Sequence, residues 1–218
     1  MGTITTAFPT SEKQELPQAM HCFSAPINFT ANTNTSNTLT SVSSQANLCR
    51  GMPLSAGGDI PASCFIVDLP TATTITIYPA ATGTHASQSL TANGDVYNVA
   101  LIVAAPTGNY GAATTNYSGL GADEVSGTGY TAGGQALTVN ITPTTTGTTA
   151  FWSWSVNPSW TSASFSTGGC IFYNTSTRAT TGRCVYVGSF GGTQTVTSGT
   201  FTLVLPTNNS SNAILRIQ

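Results

Sequence analysis

A hydrolase that works by covalent catalysis needs a histidine base, oriented by a carboxylate, beside a nucleophile. The chain offers two histidines, His21 and His85. His21 falls in the N-terminal stretch and His85 in a Thr/Gly/Ala loop. No Gly-x-Ser-x-Gly string supplies a nucleophile elbow. Glycoside cleavage would need two carboxylates flanking a bond. Asp123 and Glu124 are adjacent, so on a strand they point to opposite faces. Asp59, Asp68 and Asp95 sit in or beside turns, where Asp caps backbone N–H groups. Turn aspartates with carbonyls are hard oxygen ligands of the kind calcium takes, but the chain has only seven acidic residues to spread among such sites. Two histidines and no Cys-x-x-Cys do not complete a common zinc site. Gly127, Gly129, Gly133 and Gly134 lack the Gly-Lys-Ser/Thr of a phosphate loop. The expectation is therefore no catalysis, no cofactor and no metal.

The remaining chemistry is aromatic and thiol. Trp152 and Trp154 stand two residues apart and share a strand face. With Trp160 they would form either a sugar platform or, the reading favoured here, part of a core or subunit interface. Tyr110, Tyr117 and Tyr130 lie in a long Gly-rich loop and are candidates for contact with another chain, since Tyr is enriched at interfaces. The five cysteines are Cys22, Cys49, Cys64, Cys170 and Cys184. An odd count leaves at least one unpaired or paired between chains. Cys170 and Cys184 fall on neighbouring predicted strands, so a disulfide there is a candidate, against a default of reduced thiols in a β core.

The elements that must position these residues are strands. Residues 64–69 are an apolar run ended by Pro70. Thr73-Thr74-Ile75-Thr76-Ile77-Tyr78 alternates, with Ile75 and Ile77 on one side and Thr74, Thr76 and Tyr78 on the other. A hairpin turning around residues 70–72 is expected. Residues 97–103 are apolar enough for a central strand. Further strands are expected at 136–142, 149–155, 170–174, 183–188, 195–196, 201–205 and 213–217, with a turn at Ser198-Gly199. Residues 28–47 read as loop with short strands. The one helix is expected near residues 10–16, started by a Thr/Ser cap and cut by Pro17. Short strands with turn signals every 8–15 residues indicate an all-β chain, an antiparallel β-sandwich of jelly-roll-like type.

Composition agrees. Charged residues make up 6% of the 218, against about 25% in an average domain. Thr accounts for 40 residues and Ser for 23, which keeps strand faces wet without charge. A net charge of −2 gives no route to nucleic acid, which is held by many Lys/Arg–phosphate contacts, nor to an anionic membrane surface. No apolar run reaches bilayer length. Met1-Gly2-Thr3-Ile4 has neither the basic nor the apolar region of a signal peptide, so no secretory leader is expected. Seven Asn-x-Ser/Thr triplets, at Asn28, Asn34, Asn116, Asn140, Asn174, Asn208 and Asn209, follow from the Ser/Thr content and are not read as glycosylation acceptors. A surface with so few charges repels its neighbours poorly and suits a subunit of a larger assembly.

A set of strings is more specific. Asp123-Glu124-Val125-Ser126-Gly127-Thr128-Gly129-Tyr130-Thr131-Ala132-Gly133-Gly134 leads to Leu137 and Thr138. Trp160-Thr161-Ser162-Ala163 and Ile171-Phe172-Tyr173-Asn174 follow. Phe190-Gly191-Gly192 runs to Ser198-Gly199-Thr200-Phe201-Thr202 and Leu205-Pro206, and Asn212-Ala213-Ile214-Leu215-Arg216-Ile217 closes the chain. Earlier come Phe8-Pro9-Thr10-Ser11 with Lys13, Glu15 and Leu16. Tyr97-Asn98-Val99-Ala100-Leu101-Ile102 then runs toward Gly108-Asn109-Tyr110-Gly111 and Thr114-Thr115-Asn116-Tyr117. Together these resemble a family of small structural proteins of tailed-bacteriophage virions.

The resemblance covers residues 1–23 and 93–218, and 24–92 looks like an insertion. It implies an N-terminal anchoring arm at 1–23, ordered on binding, an inserted Thr/Ser/Asn-rich β module at 24–92, and a β-sandwich body at 93–218. It implies a non-enzymatic virion component, a capsid decoration or cement protein bridging capsid subunits, or else a fibre or tail-associated module binding a host glycan. The expected partners are the major capsid protein or other virion proteins and further copies of the chain, as a homotrimer, with neither nucleic acid nor membrane.

Overall fold

The computed structural model describes residues 1–18, 20–139, 141–176 and 181–218. Asn140, with its triplet and its place in the expected 136–142 strand, lies outside them. Among the described residues the regular structure is almost entirely β, and the ladders between its strands are antiparallel, with one isolated parallel bridge at Ile4 and Tyr110. It divides into two compact units. One joins residues 1–21 to 96–218, and the other is the intervening 22–95. The sequence reading put these borders at 23/24 and 92/93.

The single α-helix among the described residues, α1 (Thr10–Glu15), starts after Pro9, which supplies no side-chain cap. Thr10 is thus inside the first turn rather than capping it. Pro17 follows within two residues of its end, where a missing N–H and a fixed φ stop the helix.

In the 22–95 unit six strands form two three-stranded sheets. They are β1 (Ile27–Asn34), β2 (Thr38–Leu39), β3 (Leu54–Ser55), β4 (Phe65–Thr71), β5 (Thr74–Tyr78) and β6 (Thr84–Ala92). The orders are β1-β6-β3 and β2-β5-β4. Phe29, Ala31, Leu54, Leu90 and Ala92 from the first sheet meet Leu39, Ile66, Ile75 and Ile77 from the second in one core. This is a small sandwich. The β4–β5 hairpin has the expected sidedness, with Ile75 and Ile77 fully buried. Its ladder closes at Thr71↔Thr74, so the turn is Ala72-Thr73 and Pro70 lies within β4. Strand β1 replaces much of the loop expected at 28–47. Its inward positions, Phe29, Ala31 and Thr33, alternate in burial but include only one large apolar side chain, so hydrophobic periodicity is faint.

The other unit contains β7 (Tyr97–Val103), β8 (Gln135–Leu137), β9 (Thr144–Thr146), β10 (Thr149–Trp152), β11 (Ser159–Asn174), β12 (Arg183–Thr202) and β13 (Leu215–Ile217). Sheets run β12-β11-β7-β8 and β13-β10-β9. The larger sheet is covered on both faces, which is why β7 reads as a continuous apolar run. Tyr97 on one face meets Trp152 and Trp154, and Trp154 stacks on Phe172 with ring centres 5.0 Å apart. On the other face Ala100, Ile102, Ile171 and Tyr173 pack under Tyr110, Tyr117, Leu120 and Ile4.

Strands β11 and β12 are far longer than the short pieces read from the sequence. The turn expected at Ser198-Gly199 is instead absorbed as an irregularity. Ser162 and Ser198 take φ of 50° and 49°, and the register shifts between Trp160 and Phe165. A bulge spends the turn-forming residues without ending the ladder.

Candidate functional site

The N-terminal arm is the first correction. Residues expected to order only on binding are sewn into the 1–21/96–218 unit. Gly2 N donates to Pro106 O, Thr5 N to Tyr110 O and Thr10 N to Ala112 O. Ala7 and Val187 exchange both backbone hydrogen bonds at 3.0 Å, and Thr6 Oγ1 accepts from Ser189 N. The arm thereby covers the first part of β12's outer edge.

A buried polar cluster pins α1 to the sheet. Glu12, Glu15 and His21 are all buried. His21 Nε2 lies 2.8 Å from Glu12 Oε2 and 2.7 Å from Glu15 Oε2, and Arg183 pairs with the other oxygen of Glu15. Asn174 Oδ1 accepts from Ser176 N at 2.8 Å, which turns its amide nitrogen toward His21 Nδ1 at 3.0 Å. A donor facing Nδ1 leaves the ring proton on Nε2, aimed at the carboxylates. Burial raises the Glu12 carboxyl above its ordinary range, against the opposing pull of His21. Glu12, Glu15 and His21 place one ligand atom each within 4.8 Å, a grouping suited in number to a metal ion. With the Nε2 lone pair occupied by a proton, the arrangement works as a hydrogen-bonded lock. In the sequence His21 stands alone in the N-terminal stretch, with nothing to mark Glu12 and Glu15 as its partners. Nothing in the spacing places Arg183 beside them.

His85 is also carboxylate-bound. Its Nδ1 pairs with Asp59, whose Oδ2 accepts from Thr33 Oγ1 at 3.2 Å, while His85 N donates to Thr33 Oγ1 at 2.9 Å. Asp59 is buried and its backbone oxygen accepts from Thr82 N. The group fastens the 82–85 segment to β1.

The Asp123-Glu124 pair organises the long loop. Burial alone would raise Asp123, but the N–H groups of Thr107 and Gly108 and the phenol of Tyr110 hold it at about 2. Glu124 accepts from Tyr117 Oη at 2.6 Å, Tyr130 Oη at 2.8 Å and Gly133 N at 2.7 Å. Burial and Asp123 push the Tyr110 phenol up to about 12, and burial likewise raises Tyr117 and Tyr130. Both carboxylates accept several hydrogen bonds from the loop they organise.

Of the six aromatic interface candidates four are buried, and Tyr117 and Tyr130 are half-buried. Trp152, Trp154, Trp160 and Tyr110 are buried in their own unit. Tyr117 stacks on Tyr173 at 4.3 Å, and Tyr130 stacks on Trp160 at 6.1 Å. Tyr110 and Tyr117 pack over the second face of the large sheet. Cys170 and Cys184 are not joined. Their register partners are Gly188 and Tyr173, so they miss each other along the ladder.

What remains open is the far part of β12. It is the edge strand of its sheet, and beyond Ser189 the arm no longer covers it. Residues 191–195, 197, 198, 200 and 202 are exposed. From Cys184 to Thr202 no residue carries a charge. Natural edges are usually blunted by charges, Pro or bulges. Here Gly191, at φ 72°, and Ser198 supply local irregularities only. The 22–95 unit adds an exposed aromatic pair, Phe65 and Tyr78, edge to face at 6.0 Å, with Val67 beside them. The Arg50–Asp68 ion pair lies along the same strand.

Compared with protein-family models, curated proteins and solved structures, the chain finds no match in any of the three.

Proposed function

We propose that the chain is a non-enzymatic virion structural protein, a capsid decoration or cement protein that bridges subunits of the major capsid protein. The observation that carries the reading is the uncharged open edge of β12. An edge strand offers a row of N–H and C=O groups that an extended segment of a neighbour can pair with, and side chains on alternate positions set the register. Five of the seven carboxylates, Glu12, Glu15, Asp59, Asp95 and Asp123, are buried. The acids thus serve the interior, and the outside is left to Thr, Ser and Gly. Such a surface tolerates close contact with further copies, and closed symmetry would make the homo-oligomer, a trimer in this reading.

The test is the copy number per particle, measured against the major capsid protein in purified virions. Hundreds of copies support lattice decoration. Thr193→Lys together with Thr197→Lys, two exposed edge positions, is expected to abolish particle association while leaving the melting temperature unchanged. Retained association would refute the edge as the contact.

The exposed Phe65–Tyr78 pair favours a second reading, a fibre or tail-associated module that binds host glycan. A few dozen copies per particle, with glycan binding lost in Tyr78→Ala, would support it. Absence of glycan binding by the intact chain would remove it.

A further inference from the structure

We propose that Cys22 and Cys49 are a redox pair that closes into an intramolecular disulfide in the 22–95 unit. Their sulfurs lie 3.8 Å apart. A disulfide needs about 2.05 Å between sulfurs, so a small adjustment of the two side chains and one turn suffices. The two ends differ in how they are held. Cys22 is buried and its backbone is clamped. Its N–H donates to Asp95 Oδ2 at 2.8 Å, and its carbonyl accepts from Asp95 N at 2.9 Å. Cys49 is exposed, and lies between Asn47 at φ 63° and Gly51 at φ 83° in a run of turns between β2 and β3. The fixed sulfur and the movable one are what a bond-forming pair requires.

The other three thiols lack an exposed partner sulfur of this kind, and burial raises all three. Cys64 is pushed up to about 11 and Cys170 to about 12, and burial also raises Cys184. Buried thiols of raised pKa are poor nucleophiles. The odd cysteine count therefore resolves as one pair and three inert core residues, with no need for a bond between chains.

The oxidant is a small-molecule disulfide such as oxidised glutathione. The exposed Cys49 thiolate attacks one glutathione sulfur, forming a mixed disulfide and releasing glutathione thiolate. The Cys22 thiolate then attacks the Cys49 sulfur and displaces the second glutathione. The two protein thiols lose two electrons and two protons, and one oxidised glutathione becomes two reduced molecules. The bond encloses β1 and β2 in a covalent loop and ties them to the point where the chain enters this unit. It acts by restricting the unfolded chain. Reducing surroundings leave the pair open, and oxidising ones close it. The inference is independent of the virion reading.

The experiment incubates the full chain with oxidised or reduced glutathione, blocks thiols with N-ethylmaleimide in denaturant and maps peptides by mass spectrometry without reduction. The expected result is a single Cys22–Cys49 cross-linked peptide, three blocked cysteines in place of five, and a higher urea midpoint for the oxidised form. Cys49→Ser, at an exposed position, should lose the cross-link and the midpoint shift together. Five blocked thiols after oxidation, or a cross-link between chains through Cys49, would overturn the proposal.

Discussion

Glu12 carries the clearest consequence of burial on a single residue. Its folded pKa lies above its unfolded value of 4.5, with burial as the largest cause. A group raised on folding gives its full stabilisation below the unfolded pKa and loses it as pH rises through the folded one. Arm docking is therefore expected to be strongest below about pH 4.5 and to weaken as pH rises. His21, Glu15 and Arg183 face Glu12 and share the proton's surroundings. Glu12→Gln, always neutral, should flatten this dependence, with its advantage over wild type growing toward alkaline pH. Thermal melts across a pH series read the difference. A second residue-scale test concerns Gly134. At φ 68° its Cβ would overlap the Val99 carbonyl oxygen. Gly134→Ala therefore combines a left-handed backbone with a clash against a central strand and should cost about 3 kcal/mol in urea unfolding.

At the scale of elements, the arm behaves as a strand of the body. Its contacts with Val187 cover an edge, and the Glu15–Arg183 pair crosses from α1 to β12. Removing residues 1–16 strips Arg183 of its carboxylate partner and uncovers Ile4's place in the core. Breaking a buried pair from one side costs about 3 kcal/mol or more. The truncated chain should show a lowered denaturation midpoint with its β circular dichroism retained in the absence of denaturant. An unchanged midpoint would mean that the arm contributes nothing to the fold. The loop that follows β7 is a second element with an internal task. Asp123 and Glu124 gather donors from Thr107, Gly108, Tyr110, Tyr117, Tyr130 and Gly133. A long segment is thus tied into a lid over a sheet face.

On the scale of the whole molecule, charge is distributed in an unusual way. Five of the seven acids sit inside, and the surface is left with few charges. Attraction between such a surface and a partner rests on backbone pairing and packing, which salt screens little. On the decoration reading proposed above, association with capsids would change less than about tenfold between about 50 mM and about 500 mM salt. Sedimentation with purified particles measures it. A steep decline with salt would point instead to exposed cations such as Lys13, Arg50 and Arg216 as the contact.

The sequence by itself determined the all-β class, the β4–β5 hairpin with Ile75 and Ile77 inside, and β7 as a central strand. Each of these is a local property, since side-chain alternation, β-branching and turn residues act within a few positions. Tertiary structure decided which faces were covered. Tyr110, Tyr117 and Trp154 look alike in a sequence whether they serve a core or an interface, because hydrophobic payload does not say what lies opposite. The apolar run from Val99 to Val103 in β7 was a signal that both sheet faces were buried, and hence that the loop must fold back. The Glu12–Glu15–His21–Arg183 lock, the Asp59–His85 pair and the approach of Cys22 to Cys49 join residues far apart in the chain. Such contacts arise from strand register and sheet order, and local spacing holds no record of them.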